Sequence, residues 1–163
     1  MRRPVLPVPE DPGDEKVLAD IERYGFNVRH VRPYHHPEHA HLNPPEGLDP
    51  VSAIGFSYTV GLPHSRRHPE LIVVTGEPAK VAHDLLWGVV ALIDGGARFG
   101  PGDSSGEVLS EGTVTFGDVH RHWRKELLTF ADWAAQRRPF AAVQIVLPVR
   151  TPQPLLHSRR LSA

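Results

Sequence analysis

Ser52-Ala-Ile-Gly-Phe-Ser-Tyr-Thr-Val60, followed after a turn over Gly61 to Pro69 by Leu71-Ile-Val-Val74, is the stretch on which the fold depends. In its first half Ile54, Phe56, Tyr58 and Val60 alternate with Ala53, Gly55, Ser57 and Thr59. That two-residue period predicts a strand from Ser52 to Val60, and the small residues on its second face predict a close-packed neighbour. The second half is a continuous apolar run, which suits an interior strand covered on both faces. Their connection is too short for a crossover, so the two strands should pair antiparallel.

The flanking segments extend this hairpin into a domain. Downstream, Pro78 suits the first turn of a helix, and Val81, Leu85, Val89 and Leu92 recur at helical spacing. Ala82, Leu86, Val90 and Ile93 widen that face, so a largely buried helix is expected from Pro78 to Asp94, ended by Gly95 and Gly96. Upstream, Val17, Leu18, Ile21 and Tyr24 share one helical face. Asp14 or a near neighbour would cap that helix, Gly25 would end it, and Phe26, Val28 and His30 alternate as a strand. Glu107 to Leu109 and Thr113 to Val119 suggest two short strands around Gly112. Trp123, Leu127, Phe130 and Ala134 mark a third helix, and Phe140 to Leu147 a last strand. The expected fold class is α+β: one domain with a mostly antiparallel sheet of about five or six strands and about three packed helices.

The domain spans 14–148. Residues 1–13 read as a flexible proline-rich arm, and 149–163 as a basic tail holding Arg150, Arg159 and Arg160 with little else to bury. Between them, 33–50 is a long proline-rich insertion that carries His35, His36, His39 and His41.

Composition narrows the function classes. A chain of 163 residues, 40% hydrophobic and 23% charged, can build a real core. The absence of cysteine excludes disulfides, thiolate metal sites, iron–sulfur clusters and a cysteine nucleophile. A net charge of −1 makes nucleic acid an unexpected partner. The longest apolar segment, near Val81 to Ile93, is interrupted by His83, Asp84 and Gly88, so a membrane span is not expected and a cytoplasmic location is. There is no phosphate-binding loop, dinucleotide fingerprint, His-Glu-x-x-His or nucleophile elbow.

Ile21-Glu-Arg-Tyr-Gly-Phe26, Phe56-Ser-Tyr-Thr-Val-Gly-Leu62, His68-Pro-Glu-Leu-Ile-Val-Val74, the turn Phe99-Gly-Pro-Gly102 and Phe140-Ala-Ala-Val-Gln-Ile-Val-Leu-Pro148 occur in that order. This arrangement resembles the bacterial domain-of-unknown-function family 4262, from about Asp14 to Pro148. The resemblance implies the fold and a single domain. It implies no activity.

The candidate site is the end of the central hairpin. Tyr58 and Thr59 offer hydroxyls, Gly61 permits close backbone approach, and His64, Arg67, His68 and Glu70 crowd the turn that follows. Histidine beside a carboxylate suits acid–base work, and arginine suits an oxyanion. Three functions are compatible with this pattern. The first is binding of a small molecule or partner at this loop. The second is a His/Glu hydrolase or transferase, with or without a metal. The third is a protein-interaction or toxin–immunity module, whose sign would be a broad exposed apolar patch. No cofactor is expected beyond a metal on the histidines, whose spacing matches no zinc signature. His120 and His122 with Arg124 and Lys125 form a basic cluster able to meet phosphate. An uncovered sheet edge would permit a homodimer.

Overall fold

The computed structural model describes residues 6–33, 49–148 and 153–161. The histidines of the 33–50 insertion, His35, His36, His39 and His41, lie outside the described residues.

The first helix, α1 (Pro12–Tyr24), begins two residues before Asp14. Asp11 is its cap, accepting the Asp14 N–H at 2.8 Å, and Pro12 takes the first turn where its missing N–H costs nothing. Gly25, at φ 85°, closes the helix in the left-handed region. Strand β1 (Asn27–Val31) follows.

The Ser52–Val60 stretch is not one strand. Its first part is a short helix, α2 (Pro50–Ile54), and only Phe56–Val60 forms β2. Asp49 caps α2 through Ser52 N–H at 2.7 Å, Pro50 starts it, and Gly55 at φ 98° ends it. An Asp-Pro start and a glycine stop outweigh two further residues of alternation. Likewise the turn after β2 contains a short helix, α3 (Leu62–Arg66), before β3 (Glu70–Val74).

Helix α4 (Ala79–Asp94) buries Ala82, Leu85, Leu86, Val89, Val90 and Ile93. The buried stripe is centred on the second of its two apolar rows, which leaves Val81 and Trp87 at the surface. Strand β4 is only Ser104–Ser105, pairing with β5 (Val114–Asp118); Glu107 to Leu109 are bends. The expected third helix is two, α5 (Arg121–Leu127) and α6 (Thr129–Ala134), broken at Leu128. The break turns Leu128 inward along with Leu127 and Ala131, and all three are buried. Strand β6 (Ala142–Val146) completes the sheet.

The order is β1-β2-β3-β6-β5-β4, antiparallel except for the central parallel pair β3·β6, reached by the long crossover through α4, β4, β5, α5 and α6. Alternation along the strands divides the core in two. Leu71, Val73, Val143 and Ile145 pack against α4. Phe56, Tyr58, Val60, Ile72 and Val74 pack beneath α1, α2, α5 and α6. With both faces covered, all five residues of β2 and of β3 are buried.

The C-terminal segment does have something to bury. Leu156 is fully buried, its N–H donates to Gln144 Oε1 (3.0 Å) and its carbonyl accepts from His120 N–H (2.7 Å). Gln144 Nε2 donates to the Pro154 carbonyl and Trp123 Nε1 to that of Ser158, each at 2.8 Å. Leu156 and the glutamine on the neighbouring strand dock this mostly polar segment, with Leu161 packed against the same core, which hydropathy alone does not reveal. Among the described residues no helix is long and apolar enough to cross a membrane.

Candidate functional site

Gly61 sits where β2 leaves the sheet. Its φ is 114°, and a Cβ there would come within 3.0 Å of the Gly25 carbonyl oxygen and of Ile21 Cγ1. Only glycine satisfies both the dihedral and the approach of the α1 terminus. The turn is then fixed by Glu70 at the start of β3. Its Oε2 accepts Gly61 N–H (2.8 Å), and its Oε1 accepts Leu62 N–H (3.1 Å) and the Thr59 hydroxyl (2.9 Å). Thr59 Oγ1 in turn accepts Leu71 N–H at 2.9 Å. The carboxyl is the acceptor for the first N–H groups of α3, which has no cap from its own sequence.

Burial pushes the Glu70 carboxyl up to about 7, against three hydrogen bonds from Gly61, Thr59 and Leu62 that pull it down. Desolvation outweighs them because Glu70 is only 2% exposed and, among the described residues, no cation bonds it.

Beside this knot lies a cavity of ≈ 220 Å³. Gly61, Pro63, His64 and Glu70 line it together with Leu6, with Ala131 and Ala134 of α6, and with Ala135, Arg138, Pro139 and Phe140 of the segment that follows. His64 Nδ1 is buried and has no hydrogen-bond partner among the described residues.

Of the seven residues picked out in the sequence, Gly61, His64 and Glu70 line this cavity. Thr59 is fully buried and spent on Glu70 and Leu71. Tyr58 is buried, and its hydroxyl accepts the Phe130 N–H at 3.2 Å, satisfying the start of α6; burial raises its pKa. Arg67 is exposed, at φ 51°. His68 is sealed on the α4 side: Nδ1 donates to the Pro69 carbonyl (2.8 Å) while Nε2 accepts the Phe99 N–H (3.0 Å). Both ring nitrogens are therefore committed in the neutral form. Burial lowers its pKa further, ahead of the opposing Pro69 bond and the repulsion from Arg98. His68 and Glu70 share no hydrogen bond, so the adjacent pair does not form a dyad.

The far wall of the cavity has no signal in the sequence, since Ala131, Ala134 and Phe140 lie some seventy positions away and look like ordinary helix and strand residues. A second polar contact is also absent from the sequence reading. His30 Nδ1 lies 2.7 Å from Ser57 Oγ across the β1·β2 pair, with the His83 ring 5.9 Å away. Burial, then His83 and Arg29, lower the His30 pKa. Among the described residues no three metal-ligand side chains converge.

No curated protein and no solved structure matches the chain. The family model described as Domain of unknown function (DUF4262) matches residues 20–152, a span that contains all six strands, and the chain belongs to that family.

Proposed function

We propose that this domain binds a small ligand in the cavity at the end of the β2–α3–β3 hairpin. The observation that carries the reading is a buried carboxyl, Glu70, in the wall of a largely apolar cavity that is also lined by His64, whose buried Nδ1 has no hydrogen-bond partner among the described residues. At ≈ 220 Å³ the cavity is of the order of the ~150 Å³ apolar cavities that hold benzene and below the ~300–1,000 Å³ of drug-sized sites. A single ring or a short branched chain fits it.

Glu70 Oε1 already accepts two hydrogen bonds and Oε2 one, so Oε2 has capacity for another donor. The ligand is therefore an apolar body bearing an N–H or O–H group. Such a donor favours the carboxylate over the acid, so binding near neutral pH releases a proton. Fragment screening by thermal shift on wild type, Ala134→Phe and Glu70→Gln tests this. A binder should stabilise wild type, lose its effect in Ala134→Phe, where the larger side chain fills the cavity, and weaken in Glu70→Gln. If no compound separates wild type from Ala134→Phe, the reading fails.

A second reading, acid–base catalysis, is favoured by the position of Glu70 near neutrality, where a carboxyl can both take and return a proton. Its histidine would be His64 and not His68, whose nitrogens are both bonded. Turnover of a bound fragment, lost in Glu70→Gln while binding persists, distinguishes it from simple binding.

A further inference from the structure

Arg121, Arg124 and Lys125 occupy positions i, i+3 and i+4 of α5 and share one helical face. The turn after α6 brings Arg137 and Arg138 against them. A concavity of ≈ 170 Å³ is walled by these five cations, with Asp132 the one carboxylate in its lining. The chain as a whole carries −1, so this density is local and no share of a general basic character.

The arrangement is held in place. Arg124 is half-buried, and its Nη1 donates to the Phe140 carbonyl at 2.8 Å. Gln136 and Arg137, neither of them glycine, take φ of 53° and 60°, a left-handed pair that side chains adopt only under constraint. Arg137 N–H donates to the Asp132 carbonyl and Arg138 N–H to that of Ala135, which fixes where both arginines leave the backbone. Among the described residues none of the five cations has an ion pair. A second concavity, ≈ 300 Å³, shares Arg121 and Lys125 and adds Arg159, with Glu126 the carboxylate in its lining.

We propose that the Arg121–Arg138 pocket is a phosphate site for a small phosphorylated molecule. Five cations gathered in a concavity with a single carboxylate in its lining repel one another, and a bound anion offsets that repulsion. Arginine forks match the oxygens of phosphate in paired hydrogen bonds, and a phosphate's charge near −2 compensates several cations where a single carboxylate would not. At ≈ 170 Å³ the pocket is below the ~300–1,000 Å³ of drug-sized sites, a size suited to a phosphate or diphosphate group. The site borders the Glu70 cavity through Arg138, Pro139 and Phe140, yet it stands without any ligand there.

Calorimetric titration of the full chain with pyrophosphate, orthophosphate, a nucleoside diphosphate and a single-stranded oligonucleotide tests it. Pyrophosphate should bind more tightly than orthophosphate, and added salt should weaken both. Arg121→Gln with Lys125→Gln, both at exposed positions, should weaken pyrophosphate about tenfold or more at unchanged Tm. Asp132→Asn should tighten it roughly two- to fivefold. A nucleoside diphosphate tighter than pyrophosphate assigns the phosphate to a nucleotide; equal affinity assigns it to the free anion. Absence of pyrophosphate binding, binding that survives in the double variant, or binding of the oligonucleotide alone overturns the proposal.

Discussion

His68 and Glu70 stand two residues apart, each 2% exposed, and the environments they enter are opposite. His68 joins the α4 side of the sheet, where one carbonyl and one N–H match the two nitrogens of a neutral ring. Glu70 joins a knot of three donors and no cation beside a cavity. Burial lowers the pKa of the first and raises that of the second, so both are driven toward their neutral forms. The difference lies in what remains available. The histidine has no unused nitrogen, whereas the carboxyl has an oxygen with spare capacity in a cavity wall. A buried titratable residue is a functional candidate only when its hydrogen-bonding capacity is left partly unused.

The strongest way to break this comparison is truncation of each side chain. Glu70→Ala leaves the Gly61 and Leu62 N–H groups and the Thr59 hydroxyl without their acceptor. At ~1–3 kcal/mol per buried orphan, with some rescue by water entering the adjoining cavity, a loss of about 3–5 kcal/mol in urea unfolding is expected. His68→Ala removes the acceptor of the Phe99 N–H and the donor to the Pro69 carbonyl, a group with a second lone pair, and opens a gap beside the Phe99 ring, for about 2–3 kcal/mol. An equal cost would mean that Glu70 does not anchor α3 as its three hydrogen bonds indicate.

The two residues also differ in how far the sequence discloses them. Both stand out as polar groups at the end of an apolar hairpin, and a strand period would put residues two apart on one face; they separate because His68 lies before β3 begins, in the turn that brings its ring to Phe99. The hairpin itself, the long helix and the apolar last strand are legible because periodicity is local. Helix α2 reads as strand because Ile54 continues the alternation, although Asp49, Pro50 and Gly55 carry the contrary signal. The parallel pairing of β3 with β6 and the cavity wall from α6 are tertiary facts with no linear signature. The docking of Leu156 escapes a sequence reading because Leu155, Leu156 and Leu161 follow neither a strand nor a helix period.

A subtler break uses pH. Glu70 has a folded pKa of about 7 against an ordinary value of 4.5, so the folded state keeps its proton longer. Its contribution is full below pH 4.5 and is lost as pH rises through 7. At 1.36 kcal/mol per unit this is on the order of 3 kcal/mol. His68, shifted down from 6.5, acts in the opposite sense: its contribution is full above that value and is lost as pH falls through the folded pKa. The two partly mask each other in the wild-type profile. Subtracting the profile of Glu70→Gln, which cannot titrate, isolates the carboxyl, and the wild type should lose stability relative to that variant from about pH 5 to about pH 7.5. A flat difference would mean that Glu70 remains ionised throughout.

The smallest effect belongs to the other end of α3, where the tie is made in solvent. Arg66 bonds Asp94 through Nε (2.7 Å) and Nη2 (3.3 Å), but the aspartate is 52% exposed. The same guanidinium donates to the Tyr24 carbonyl and to Ser65 Oγ and lies over the Phe26 ring at 5.2 Å. Removing the aspartate charge therefore leaves most of the arginine's contacts in place. Asp94→Asn should cost about 0.2–1 kcal/mol, and the cost should shrink in salt. Arg66→Ala should cost more than Asp94→Asn, because it also removes the packing on Phe26 and the bond to the Tyr24 carbonyl. If the two variants cost the same, the exposed ion pair carries the whole tie. The second end of α3 would then be held by an exposed charge pair alone, with no share from the Phe26 ring or the Tyr24 carbonyl.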